Sequence, residues 1–303
     1  MPNFLIVGAG KSGTTSLYHY LAQHPEVFTS PLKEPRFLSM GEERTFNGPG
    51  GSIVEKRSVS NFEDYCALFK NSESYKARGE ASVDNLSFHR YAIPNIKKYI
   101  GSPKIIIILR NPVDRAYSAY TYLRRDGWEK LSFADALRQE QERKKLGYRW
   151  MWRYREAGLY YEQVKAYIDN FEQVKIYLYD ELRSSPLNLI QDIYAFLQVN
   201  SSFIPTMTTR HNSSGNPRSE LINSIFVKPK ALHKVVRSLA SATIGLERWI
   251  VFRENVRGLL LKKPDPIDPD IANELRAYYK DDILKLQSVI EQDLSSWLTT
   301  KNQ

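Results

Sequence analysis

Residues 4–17 read Phe4-Leu5-Ile6-Val7-Gly8-Ala9-Gly10-Lys11-Ser12-Gly13-Thr14-Thr15-Ser16-Leu17. A short apolar run has the length of a buried strand, and a glycine-rich turn follows it. Leu17, Tyr20 and Leu21 then recur at helical spacing, which predicts a helix from about Thr14 to His24 with Thr14 and Thr15 as N-cap candidates. Strand, glycine turn and helix in that order leave backbone N–H groups free at the helix start, where they attract anions without a metal.

The next strong signal lies a hundred residues on. Lys104-Ile105-Ile106-Ile107-Ile108-Leu109 is β-branched almost throughout, so it reads as a strand buried on both faces, as in a parallel sheet. Asn111-Pro112 opens a helix to about Arg124, since proline suits a first turn. Between these anchors, Val27–Thr29 and Ala77–Glu80 read as strands, and helices are expected near 61–70 and 87–99. Residues 40–60, rich in glycine, read as a loop. Helices are expected near 132–146, 157–170 and 186–197, with a strand at Val174–Tyr179. Pro264 to Asp270 reads as a turn and helix cap, leading into a packing helix that ends near Ile290. Alternating strands and helices predict an α/β, P-loop-like doubly wound fold with a central parallel sheet flanked by helices. Ligands bind such sheets at the carboxyl ends of the strands, which directs attention to the loops after residues 7, 29, 80, 109 and 179. One domain is expected over residues 1–303.

The 303 residues carry a net charge of +9, are 42% hydrophobic and 25% charged, and include a single cysteine, Cys66. One cysteine excludes a disulfide framework and a thiolate-rich zinc site, and the five histidines show no ligand spacing, so no metal site is expected. No leader segment and no bilayer-spanning run are read, so a cytoplasmic location is expected. The positive charge fits three partners: nucleic acid, an anionic membrane, or anionic small molecules. Residues 225–263 hold nine Lys or Arg against two Glu, mixed with apolar triplets. That segment suits an acceptor-side lid or surface helices leaning on a membrane.

The glycine loop fits three templates. Gly8-x-Gly10-x-x-Gly13 matches a dinucleotide fingerprint, but the second strand ends at Ser30 without the acid that binds ribose. Gly10-Lys11-Ser12 matches the end of a Walker A loop, but the first glycine of that pattern falls on Leu5. A kinase also needs an aspartate for magnesium, and strand 104–109 ends in Arg110, a cation that attracts phosphate instead. The third template is Lys11-Ser12-Gly13-Thr14-Thr15-Ser16-Leu17, together with Arg110 and Ser118. With these motifs the chain resembles the sulfotransferases that use 3′-phosphoadenosine 5′-phosphosulfate (PAPS), in particular the bacterial and heparan-sulfate-type branch.

The resemblance implies roles residue by residue. Lys11 would stabilise the leaving oxygen. Ser12, Gly13, Thr14, Thr15 and Ser16 would hold the 5′-phosphosulfate, and Arg110 and Ser118 the 3′-phosphate. Lys33-Glu34-Pro35-Arg36-Phe37-Leu38 looks like the family's Lys-Glu-Pro-His-Phe-Phe stretch, which makes Glu34 the general base and puts Arg36 where many relatives have histidine. Cytosolic-type members use histidine, which keeps His89 as a second catalytic candidate. Gly79-Glu80-Ala81-Ser82 resembles a substrate-side loop but lacks the lysine after its glutamate, which argues against a polyanionic glycan. Glu80 and Asp84 are available to a cationic or hydroxyl-rich acceptor. A late polar loop, residues 210–219, matches the place where the family covers the adenosine, with Arg218, Ser214 and Gly215 as contacts. Tyr148, Trp150, Trp152 and Tyr154 read as packing residues first and as an acceptor wall second.

The expected function is therefore sulfuryl transfer from PAPS to an acceptor hydroxyl or amine of a small molecule or glycan. The product would be 3′,5′-adenosine bisphosphate, and no metal or nucleic acid would take part. Two alternatives stay open: a P-loop kinase using ATP and magnesium, and a non-catalytic basic module that binds nucleic acid or membrane.

Overall fold

A computed structural model describes residues 1–39, 46–207 and 264–299, with the backbone of 216–217 and 261–262. The isoleucine run is the strand at which everything else is organised. Five parallel strands form the main sheet: β1 (Phe4–Gly8), β2 (Val27–Thr29), β3 (Ala77–Ala81), β4 (Lys104–Leu109) and β5 (Val174–Leu178). Their spatial order is β2-β3-β1-β4-β5. Phe4 pairs with Gly79 on one side and with Lys104 on the other, and Ile105 pairs with Val174. From β1 the chain crosses to the edge strand β2, returns to place β3 beside β1, and then adds β4 and β5 on the other side. The crevice between β1 and β4 is thus the topological switch point, the usual ligand position in such sheets.

Twelve helices are named among the described residues: α1 (Thr14–Leu21), α2 (Gly51–Arg57), α3 (Phe62–Ala67), α4 (Asp84–Ser87), α5 (His89–Tyr99), α6 (Pro112–Arg125), α7 (Phe133–Arg138), α8 (Glu140–Lys145), α9 (Tyr161–Asn170), α10 (Tyr179–Ser184), α11 (Pro186–Leu197) and α12 (Pro269–Ile290). Strand side chains alternate between faces. Phe4, Ile6, Ile106 and Ile108 pack with Leu17 and Leu21 of α1 and with Leu189, Ile190 and Ile193 of α11. Leu5, Val7, Ile105, Ile107 and Leu109 pack with Ala116, Ala119 and Leu123 of α6, Val164 and Tyr167 of α9, and Leu275, Ile283 and Leu286 of α12. Both faces are covered, which is why β4 tolerates no polar residue between its ends. At about 1.5–3 kcal/mol for each fully buried aliphatic side chain, these two layers dominate the stability.

Several boundaries differ from the sequence reading. Helix α1 stops at Leu21, three residues before His24, with Ala22 as its C-cap. Its N-cap is Gly13, in the left-handed region at φ 91°, and not Thr14 or Thr15. The expected loop 40–60 contains α2, which starts after left-handed Gly50 and buries Val54. One buried apolar side chain in that helix gives too little periodicity to see. The expected helix near 87–99 is α5, preceded by the short, unexpected α4, and the one at 132–146 divides at Gln139 into α7 and α8. The closing helix α12 runs as expected, capped by the side chain of Asp268. No helix among the described residues is long and apolar enough to cross a membrane.

Candidate active site

A cleft of about 400 Å³ opens at the carboxyl ends of the strands. One wall comes from the loop after β1. Gly10 is bare because any side chain there would enter the indole ring of Trp150. Gly13 needs its positive φ, and a Cβ on it would sit 2.7 Å from Leu182. No side chain caps α1. Thr14, Thr15 and Ser16 form its first turn, where backbone N–H groups favour an anion, and all three line the cleft. Lys11 adopts φ 72°, a left-handed backbone that costs a non-glycine residue about 1 kcal/mol or more. Its Nζ lies 4.3 Å from the centre of the Tyr122 ring. Burial, then the charges of Arg125 and Arg110, lower the Lys11 ammonium to about 7.

The neighbouring strand supplies the second group. Arg110 follows β4 directly and donates from Nη1 to the Lys11 carbonyl at 3.1 Å. Its guanidinium stacks 4.8 Å from the centre of the Tyr179 ring, and its buried Nε meets no hydrogen-bond partner among the described residues. The Asn111 side chain caps α6 by accepting from Val113 N–H at 3.0 Å. That start directs Ser118, two turns on and 6% exposed, back to the cleft.

The opposite wall is built from side chains. The segment after β2 is tied to the end of β3, where Glu34 N–H donates to the Ala81 carbonyl at 3.0 Å. Glu34 and Arg36 both hold positive φ, 61° and 59°. Lys33 Nζ donates to Glu34 Oε1 at 2.9 Å, and Arg36 Nη2 pairs with Glu34 Oε2. Arg36 Nε reaches Asp84 Oδ2 at 3.0 Å, and the Trp150 indole N–H donates to Asp84 Oδ1. Burial pushes the Glu34 carboxyl up, but Lys33, Arg36 and Arg149 outweigh it and hold it well below the usual carboxylate range. Beneath this wall, Ser82 Oγ accepts from Arg36 N–H at 3.1 Å and donates to Glu80 Oε2 at 2.7 Å. Glu80 is 1% exposed, and burial raises its carboxyl to about 7.

A family model described as "Sulfotransferase family" matches residues 2–202. A crystal structure of a sulfotransferase from Alicyclobacillus acidocaldarius is 34% identical, with a TM-score of 0.76 over 99% of both chains. The chain belongs to the sulfotransferase family. Curated relatives agree. The human bifunctional heparan sulfate N-deacetylase/N-sulfotransferase 3 is 24% identical over 100% of this chain and 32% of its own length. The membrane-associated sulfotransferase kil1 of Dictyostelium discoideum is 32% identical over 40% of this chain and 23% of its own. The chain thus spans about a quarter to a third of the lengths of those two curated relatives.

The sulfotransferase fold brings Lys11, Gly13, Thr14, Thr15, Ser16, Glu34, Arg110 and Ser118 into one cleft. Ser12 is fully buried and outside the lining. His89 begins α5, also outside the lining, and burial lowers its imidazole pKa. Glu80 is buried away from the cleft, whereas Asp84 lines it but is occupied by Arg36 and Trp150. Arg218, Ser214, Gly215 and most of 225–263 lie outside the described residues. Sequence reasoning missed Tyr122 and Arg149 as lining residues and ranked Trp150 as packing first.

Proposed function

We propose that this sulfotransferase takes PAPS as donor and moves its sulfuryl group in line to an acceptor hydroxyl of a small molecule or glycan. One observation carries the proposal: an uncapped helix start beside Lys11 and Arg110 faces Glu34 across a single cleft. The donor fits this cleft on two counts. The N-terminal turn of α1 and the hydroxyls of Thr14, Thr15 and Ser16 suit its 5′-phosphosulfate. The unpartnered Nε of Arg110, with Ser118, suits its 3′-phosphate. When bound, the donor supplies an activated sulfuryl group on a good leaving group.

The protein's own residues would then position and move a proton. Glu34 accepts the proton of the acceptor hydroxyl as the acceptor oxygen bonds to sulfur. The bond from sulfur to the bridging oxygen breaks, and Lys11 stabilises the charge that builds there. Glu34 is ionised across the working pH range, so it needs no prior deprotonation. Its flanking cations make it a weak base, which suits proton transfer late in the reaction, once the acceptor oxygen has become acidic. Glu34 is preferred over His89 because it lines the cleft and His89 does not.

The test is transfer of labelled sulfur from PAPS to a panel of phenols, alcohols and oligosaccharides. Label should appear in at least one hydroxyl acceptor, and Lys11→Ala should suppress it. Release of bisphosphate with no labelled acceptor from any class, or full turnover by Lys11→Ala, would overturn the proposal.

A further inference from the structure

Five cations line the cleft against two carboxylates: Lys11, Lys33, Arg36, Arg110 and Arg149 face Glu34 and Asp84. Lys33 and Arg36 are engaged by those two carboxylates. Lys11 and Arg110 stand on the donor side, at the loops after β1 and β4. Arg149 is left over. It is 8% exposed, yet it lines the cleft, and neither its Nε nor its Nη2 meets a hydrogen-bond partner among the described residues.

Such a side chain is costly to leave as it stands. A buried guanidinium with two of its three nitrogens unpartnered gives up hydration and receives little in exchange for it. Burial pulls its pKa down, and the nearby Tyr122 and Asp84 only partly oppose that. What holds it in place is packing. The guanidinium stacks 4.7 Å from the centre of the Trp128 ring, and Trp128 in turn lies against Gly50, which starts α2. Its planar fork is therefore oriented before anything binds, which is how proteins prepare for bidentate recognition of an oxyanion.

Its surroundings belong to the acceptor side. Its charge acts on Glu34, and that of Asp84 acts on it; Trp150, which bonds Asp84, packs with Val83 and Met151, and Val54 lines the same cleft. We infer that Arg149 is an anion subsite for the acceptor, so that the preferred acceptor carries one carboxylate, sulfate or phosphate group beside an apolar body, with its hydroxyl presented to Glu34. This rests on the donor proposal above, because that proposal assigns Lys11 and Arg110 to phosphates. It goes further by naming the acceptor's chemistry. A single prepared cation flanked by apolar side chains favours a singly anionic small molecule over a long polyanion.

The test uses the protein saturated with 3′,5′-adenosine bisphosphate, so that the donor-side cations are occupied. Benzoate, methyl sulfate and methyl phosphate are then titrated at constant ionic strength, with benzamide as the neutral control. Tryptophan fluorescence reads binding, because Trp128 and Trp150 adjoin the subsite. At least one anion should give a saturable change that benzamide does not, and the three arms show which oxyanion is preferred. Arg149→Gln should weaken that anion tenfold or more while bisphosphate affinity holds, and Arg149→Lys should recover part of it. Failure of bisphosphate to bind would overturn the donor proposal and this inference together. Normal bisphosphate binding with no saturable anion response in the wild type would overturn this inference alone. So would a response unchanged in Arg149→Gln.

Discussion

The two walls of the cleft are made in different ways. The donor wall is mostly backbone: an uncapped helix start, a glycine that admits the neighbouring indole, and one arginine at a strand end. The acceptor wall is a lattice of side chains, in which Lys33, Glu34, Arg36, Asp84 and Trp150 hold one another. The first is prepared to receive charge, and the second is prepared to hold a carboxylate still. Changes on the acceptor wall should therefore alter turnover, and changes on the donor wall should alter nucleotide binding.

The largest effect separates the walls outright. Glu34→Gln should lower turnover by about 10²–10⁴-fold while bisphosphate affinity stays within about twofold, as compared by label transfer and calorimetry. Equal losses in both would show that the walls are not independent. On the donor side, Arg110→Ala should reduce the preference for 3′,5′-adenosine bisphosphate over the 5′-monophosphate by roughly 10–100-fold, the size of a lost charge-assisted hydrogen bond. Unchanged selectivity would move the 3′-phosphate elsewhere.

A subtler donor-wall effect follows from Lys11, whose ammonium is lowered to about 7. Above that pH the free protein holds it largely neutral, and a bound phosphate favours the charged form. Binding should therefore take up a proton, and bisphosphate affinity should fall by up to about tenfold per pH unit above 7. Calorimetry in buffers of different ionisation enthalpy checks this uptake, which Lys11→Met should abolish. The smallest effect concerns the brace beneath the acceptor wall. Glu80 titrates near 7 instead of the ordinary 4.5, so the native state keeps a proton that the unfolded chain has lost between those values. That contribution to stability is present below about pH 4.5 and is lost as pH rises through about 7. Glu80→Gln should flatten this slope in urea unfolding at a series of pH values, and parallel slopes would contradict it.

The same contrast explains what could be read from the sequence. Gly10, Lys11, Gly13, Arg110 and Ser118 belong to local strand-turn-helix units, so their spacing carries their geometry. The sheet was legible for the same reason, since the isoleucine run of β4 admits no arrangement but burial on both faces. The acceptor wall is tertiary. Arg36 meets Asp84 across 48 positions, and Asp84 meets Trp150 across 66. No local pattern encodes either pairing. Glu34 was found only through its resemblance to a known stretch, and Arg149 gave no signal at all because its meaning lies in the partners it lacks. Helix α2 escaped notice because glycines surround it and only Val54 and Gly51 in it are buried.

The central claim is that the cleft receives a doubly phosphorylated adenosine. Thermal unfolding with 3′,5′-adenosine bisphosphate, in the presence of a chelator, tests it most directly. At about a hundredfold excess over Kd, binding should contribute roughly 2.7 kcal/mol and raise the midpoint by several degrees, with Arg110→Ala blunting the shift. Stabilisation by ATP with magnesium alone, or no response to either nucleotide, would contradict the account.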